Sequence, residues 1–344
     1  MLQSTMADMF PQFPLAELHA HLSASIHPSI YWQIAHDQGF KLPKREYHEF
    51  KSFVRLSPQN KLSLNDYFDQ VYDPILDPLS SGTLAVERAT YEILGGAYRS
   101  NNTTLIELRN NPMKHNHAGT VDLDHIIMAM LRGMERALLE YPKLSVGLIF
   151  CLAREFTLEQ NSIIIEKAIK YHKRGVVGID FAGRATSTFH YKDYAKLVDK
   201  ARKAGLHITA HSGEVREAND MWEALEFVSP KRIGHGIYAA YDKKLMKELV
   251  KRGTVLEVCP LSNIMTKAVE NDEELAFILK TLMENNVRFT INTDWPEMIE
   301  NAQLRRQFHY LLEKKMLTVE ELKRCNEIAF ASSFIPGKGL EAYL

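Results

Sequence analysis

Eight short apolar runs, each followed by a segment with helical character, constrain this chain more than any other feature. They begin with 14–22 and continue at 104–109, 144–150, 176–181, 207–211, 232–235, 254–258 and 288–294. Between them the periodicity changes. Ile127, Met130, Met134 and Leu138 line one face of 122–140, as a helix requires. Thr157 with Gln160, and Thr318 with Glu321, are capping-box starts. Lys203-Ala204-Gly205 and Lys251-Arg252-Gly253 put a basic residue and then glycine where helices should stop, just before a strand. Alternating strands and helices predict a parallel sheet with right-handed crossovers. Eight such units predict an α/β fold of the closed (β/α)₈ TIM-barrel type. The rival, an open doubly wound sheet, lacks its Gly-x-Gly-x-x-Gly turn after the first strand.

A chain of 344 residues with 45% hydrophobic content can bury a core of that size. No repeat, linker or low-complexity tract divides it, so the expectation is one domain over 1–344. One connection is abnormally long. Residues 22–103, with helix-like pieces at 28–38, 64–75 and 84–99, form a helical insertion after the first strand. Insertions there fall on the C-terminal mouth of a barrel and often act as lids. Most of this segment's aromatics (Tyr31, Trp32, Phe50, Phe53, Tyr67, Phe68, Tyr72) are expected to pack it onto the barrel, with some left to line a pocket.

Lysine and arginine (42) nearly cancel aspartate and glutamate (43), so no basic field attracts nucleic acid or an anionic membrane. Three scattered cysteines, Cys151, Cys259 and Cys325, suit reduced thiols rather than a disulfide framework. No signal peptide is evident at the start, and no apolar stretch reaches the ~18 residues of a spanning helix. The expected location is the cytoplasm, with small-molecule substrate, no nucleic acid and no membrane. Oligomeric state is left open.

On the predicted barrel, groups able to ligate metal or move protons gather at the strand tips. His19 and His21, two apart on the first strand, share a face. His211 ends the fifth strand, His235 the sixth, and Asp294 the eighth. Three imidazoles and a carboxylate are the ligand set of a catalytic zinc or similar ion that keeps a water position open. Such an ion brings the pKa of water toward ~7. Glu214, three residues after His211, sits in the turn beyond the strand, near the metal without needing to ligate it. It is a candidate proton donor, or a helix-start carboxylate favoured by the dipole. A second His-x-His, His115 and His117, follows Asn110-Asn111-Pro112 and reads as a solvated loop.

Taken together, Glu17-Leu18-His19-Ala20-His21-Leu22, Gly178-Ile179-Asp180-Phe181-Ala182-Gly183, His211-Ser212-Gly213-Glu214, Gly234-His235-Gly236, Val258-Cys259-Pro260 with Ser262-Asn263, and Asn292-Thr293-Asp294 resemble the adenosine deaminase family of zinc-dependent purine deaminases. The resemblance spans about 14–330 and implies a (β/α)₈ barrel. It implies metal ligation of one Zn²⁺ per chain by His19, His21, His211 and Asp294. It makes Glu214 the acid that protonates purine N1 and His235 the base that orients water. It also brings the Gly183 N–H to purine N3. The implied reaction is hydrolytic release of ammonia from a 6-aminopurine nucleoside or nucleotide.

Two departures bear on the substrate. The family's usual second aspartate, which meets purine N7, is here Trp295. Its indole N–H can still serve an acceptor nitrogen, or the ring can stack on the substrate, or it can turn away to pack a loop. The aspartate that meets ribose two residues after His-x-His is Ser23, as in the adenosine-deaminase-like branch acting on N6-substituted adenosine monophosphates. His21, Ser23, Gly183 and Trp295 are therefore the expected substrate contacts, and Arg184 is a minor candidate for phosphate. Other readings are a deaminase of another aminated heterocycle (adenine, N6-methyl-AMP or a pterin-like ring) and a purine-binding protein without turnover. A two-metal amidohydrolase is disfavoured, because the fourth strand ends in Asp180-Phe181 and offers no lysine to bridge two ions.

Overall fold

The structure, a computed structural model, describes residues 13–117, 122–184, 186–214 and 219–343. Its eight strands are all parallel and follow chain order around the sheet. They are β1 (Leu15–His21), β2 (Thr103–Asn110), β3 (Ser145–Ala153), β4 (Val176–Ala182), β5 (His207–Ser212), β6 (Arg232–His235), β7 (Val255–Val258) and β8 (Phe289–Ile291). A parallel bridge between Ala20 and Asp294 brings the end of the chain's last strand back to β1. The predicted (β/α)₈ barrel is the fold.

Almost every strand residue is buried, including both faces of β2, β3 and β4. That follows from closure: one face of each strand looks into the barrel and the other under a helix. The helices form where the sequence signals place them. Leu123–Glu140 buries Ile127, Met130 and Met134 against the barrel. Thr157 and Thr318 each complete a reciprocal capping box. Gly253 takes φ +68° to end Lys243–Arg252, a left-handed turn that a side chain would strain.

The insertion is helical, as expected, but more broken. Pro28–Gln38 and Tyr47–Val54 are followed by Leu64–Tyr67, which widens into a π-helix over Phe68–Leu76. Pro74 lies inside that stretch and cannot supply a backbone N–H. Tyr31, Phe50 and Tyr67 are fully buried in the core shared with the barrel, whereas Phe68 and Tyr72 line the pocket at its mouth. Cys151, Cys259 and Cys325 are buried and unpaired by disulfides. Among the described residues, no helix is long and apolar enough to cross a membrane.

Candidate active site

Alternation along β1 turns His19 and His21 to one face, and β5 and β6 add His211 and His235 from the opposite side of the mouth. Asp294 does not end β8 as expected. The strand stops at Ile291, and Asp294 lies three residues beyond it at φ +61°. Its backbone is tied to β1 at both ends, with Asp294 N–H donating to His19 O (2.7 Å) and His21 N–H to Asp294 O (3.1 Å). His235 also sits at φ +60°. Two non-glycine residues in left-handed conformation, held in place at one mouth, are the kind of local strain that clusters at functional sites.

These turns bring the ring nitrogens and one carboxylate oxygen together. His21 Nε2 lies 3.1 Å from His211 Nε2 and 3.3 Å from Asp294 Oδ1. His19 Nε2 lies 3.5 Å from the same oxygen. Ligand atoms ~2.0–2.2 Å from a common ion stand roughly 3 to 3.5 Å apart, which is the spacing here. Nδ1 of His19 donates to Glu257 (2.8 Å), so its Nε2 carries a lone pair. Both His19 Nε2 and Asp294 Oδ1 are buried without a hydrogen-bond partner. Lone pairs facing one another across that distance repel unless a cation lies among them. Burial compounds the need: it raises the Asp294 carboxyl above its ordinary range and, with help from Arg109 and the other imidazoles, pushes His19 well down. The donor set fits a divalent ion. Among the described residues, His19, His211, His235 and Asp294 have ligand atoms all within 4.8 Å of one another, while His21 stands outside that set and meets it through His211 and Asp294.

Beneath these residues lies a network that the sequence reading left without roles. Glu257 holds His19, and Asp180 Oδ2 lies 2.9 Å from His211 Nδ1. Arg109 joins the two carboxylates from the barrel interior, at 2.7 Å to Glu257 and 2.9 Å to Asp180. Arg232 connects Glu257 (2.6 Å) to Glu107 (2.5 Å). Burial acts to raise the Asp180 and Glu257 carboxyls, yet their partners, Arg109 foremost for Glu257 and His211 with Arg109 for Asp180, hold both at about 2. Ser262 donates to Asp294 Oδ2 (2.6 Å), and the Asn263 amide lies 3.0 Å from His235 Nδ1. Asp180→Asn is expected to weaken cation binding ~10–100-fold by loosening the His211 ring, as measured by titration against a chromogenic chelator.

Glu214 Oε2 lies 3.7 Å from His235 Nε2, and both residues line the pocket above the metal ligands. That pocket encloses about 810 Å³ out to its open mouth. Gly183 borders it at φ +87°, where a Cβ would meet the Glu155 carboxylate at 2.4 Å. Ser23 also borders it, but its hydroxyl already accepts from Tyr72 (3.2 Å) and lies 3.3 Å from Ser80 Oγ. Trp295 is 6% exposed, lines the pocket, and packs against Tyr67 (4.8 Å) and Phe68 (6.1 Å) of the insertion.

Arg184 is taken up by Asp69 (2.7 Å) and Asp73 (2.8 Å), so it straps the β4 turn to the insertion. The second His-x-His is a loop that is solvated at His117 but not at His115. His115 is buried with Nδ1 on Ser80 O (3.0 Å), and His117 meets Asp77 (2.8 Å). Its neighbours come from the insertion, which local sequence does not reveal.

A closed parallel barrel whose mouth gathers imidazoles and a carboxylate, with Glu214 beside them, has the arrangement that metal-assisted hydrolysis needs. The adenosine deaminase family model matches residues 14–343. An adenosine deaminase from Clostridium kluyveri is 30% identical over 321 residues, covering 93% of this chain and 89% of its own length. Among solved structures, an adenine deaminase from Arthrobacter aurescens superposes with a TM-score of 0.82 at 23% identity, covering 94% of both chains. An Arabidopsis N6-mAMP deaminase superposes at 0.80 and 23% identity, covering 96% of both. The chain belongs to the adenosine deaminase family, and it is a hydrolytic deaminase.

Proposed function

We propose that this protein removes the exocyclic amino group of a 6-aminopurine nucleoside or nucleotide in the cytoplasm, using one zinc ion per chain. The observation that carries this reading is the convergence of His19, His21, His211 and Asp294, with candidate ligand atoms spaced 3.1–3.5 Å apart, His19 Nε2 and Asp294 Oδ1 buried without a partner, and Glu214 next to them. Three nitrogen donors and one oxygen donor suit zinc. When bound, the ion supplies Lewis acidity that makes water a nucleophile near neutral pH.

The chain's own residues do the rest. The pocket presents the ring edge to Glu214, which gives a proton to N1 and so makes C6 electrophilic. His235, held by Asn263, takes a proton from the attacking water. After the C–O bond forms, His235 returns that proton to the amino group, the C6–N bond breaks to release ammonia, and the new hydroxyl gives its proton back to Glu214 as the C6 carbonyl forms. The Gly183 N–H meets N3; its left-handed turn brings the backbone close to the ring, and glycine suits that turn. The direct test is ammonia release from adenosine, AMP, N6-methyl-AMP and adenine by the zinc-loaded protein. Turnover of at least one is expected, and release from none refutes the purine reading.

Trp295 favours a second reading in which the same chemistry acts on a differently substituted aminated ring. Its indole fills the edge where an aspartate would meet N7, and its packing on Tyr67 and Phe68 fixes it there. Trp295→Asp is expected to change the ranking of those substrates by at least tenfold in kcat/KM, read from the same ammonia assay. An unchanged ranking would mean that the indole only packs the insertion.

A further inference from the structure

The base of the barrel, at the end away from the metal ligands, holds a second recess that the reaction does not use. It opens where β5, β6, β7 and β8 begin, with 331–334 forming part of its wall, and it spans about 1060 Å³ out to its opening. Lys231, Arg232, Arg252, Arg288 and His207 line it, and no aspartate or glutamate does. In a chain whose cations and anions nearly cancel, with a formal net charge of -1, this is a local excess of one sign.

Two of the cations are already engaged. Arg232 reaches Glu257 (2.6 Å), Glu107 (2.5 Å) and the Ser332 carbonyl (2.7 Å). Arg252 donates from Nε to Glu248 (2.7 Å) and from Nη1 to the Leu225 carbonyl (2.5 Å), which leaves its Nη2. Lys231 and Arg288 are exposed and, among the described residues, have no carboxylate within ion-pair distance. His207 is half-buried and stacked on Phe334 at 4.7 Å; burial and then the Lys231 charge lower its pKa, although Glu107 pulls the other way.

The wall's acceptors, by contrast, are taken. The Ser229 carbonyl accepts from Arg202 (3.0 Å), Pro230 from the Thr254 hydroxyl (3.5 Å), Lys231 from the Val255 N–H (3.2 Å) and Ser332 from Arg232. What Lys231, Arg288 and the free end of Arg252 offer a ligand is charged N–H donors, which select an anion. A cleft lined by one sign of charge concentrates the opposite sign. Its volume is that of a small-molecule site rather than of a surface for a duplex or a membrane. A guanidinium fork matches phosphate oxygens, with lysine as a point charge beside it. A carboxylate brings one charge and two oxygens, whereas a phosphate monoester brings about two charges and three oxygens to donors that arrive from separate strands.

We propose that this basal recess binds a small phosphate-bearing anion, held chiefly by Lys231 and Arg288. The site is separate from the deaminase mouth and does not rest on the purine reading.

The test titrates inorganic phosphate into the zinc-loaded protein at low ionic strength, read by calorimetry and by the NMR signals of the His207 ring. Saturable binding that shifts the His207 ring protons is expected. Lys231→Glu with Arg288→Glu is expected to weaken that binding at least tenfold. Lys196→Glu with Lys243→Glu, an equal change in net charge at two exposed helix positions, is expected to leave it within twofold. If the first double variant does not fold, as judged by circular dichroism, Lys231→Gln with Arg288→Gln carries the same expectation. A His207 signal that does not move, or an equal loss in the two charge-reversed proteins, overturns the proposal. Capture of RNA or of phosphatidylserine vesicles that depends on Lys231 and Arg288, without phosphate binding, overturns it as well.

Discussion

Asp294→Ala is expected to leave the protein with less than a tenth of its bound cation and to lower turnover by ~10⁴-fold or more. Asp294 Oδ1 is the atom on which His19 and His21 converge, at 3.5 and 3.3 Å, and the only anionic donor among the four proposed ligands. Its removal leaves three neutral imidazoles, which neither neutralise a divalent charge nor complete the donor set. Since metal binding and ligand ionisation are coupled, affinity falls with the lost carboxylate. The fold is expected to survive, because the closing bonds between the 294 position and β1 are made by backbone atoms, which alanine keeps. The φ of +61° at this position will cost alanine some stability. Elemental analysis together with ammonia release reads both effects, and circular dichroism reports the fold.

Glu214→Gln is expected to slow kcat by ~10²- to 10⁴-fold while the cation content stays at the wild-type level. Glutamine preserves size and can still hydrogen-bond a ring nitrogen, but it has no proton to transfer. Glu214 is not one of the groups that converge on Asp294 Oδ1; it lies above them, 3.7 Å from His235. The pair of variants therefore separates the two roles: one loses metal and chemistry together, the other chemistry alone. A Glu214→Gln protein with full activity would remove the acid from the mechanism.

The barrel was legible because closure repeats one local grammar. Each apolar run is buried on both faces, and each helix carries its own start and stop signals, such as the Thr157 and Thr318 caps and Gly253. The gathering of candidate side chains at the mouth was legible for the same reason: His19, His21, His211 and His235 stand at or near strand ends, and in a barrel those ends converge. Asp294 was placed in the right neighbourhood but on the wrong element, since a three-residue strand followed by a left-handed turn has no signature in a run of apolar and polar residues.

The charged residues inside the strands were harder to interpret. Glu107, Arg109, Asp180, Arg232 and Glu257 fall among apolar neighbours, where a lone charge ordinarily marks a solvated face. Only the closed ring turns them toward one another and buries all five. Their signal was present as charges within otherwise continuous apolar runs, which a two-sided buried strand does not tolerate unless they are paired. Breaking such a pair typically costs ~3–5 kcal/mol because it leaves a buried charge uncompensated, and the intact network aims the imidazoles. That the insertion covers the mouth was legible, but its particular contacts there were not. Trp295 meets Tyr67, and Arg184 meets Asp69, across more than a hundred residues of chain.

The central claim is that a cation held by His19, His21, His211 and Asp294 makes deamination possible. It is tested by stripping the purified protein with a strong chelator, returning zinc in measured steps, and following ammonia release from adenosine and its N6- and 5′-substituted relatives. Activity should be lost on stripping and should return in proportion to zinc, reaching a plateau at one ion per chain in the wild type, with no recovery in Asp294→Ala. Full ammonia release by the stripped protein, or a plateau at two ions per chain, would contradict the account.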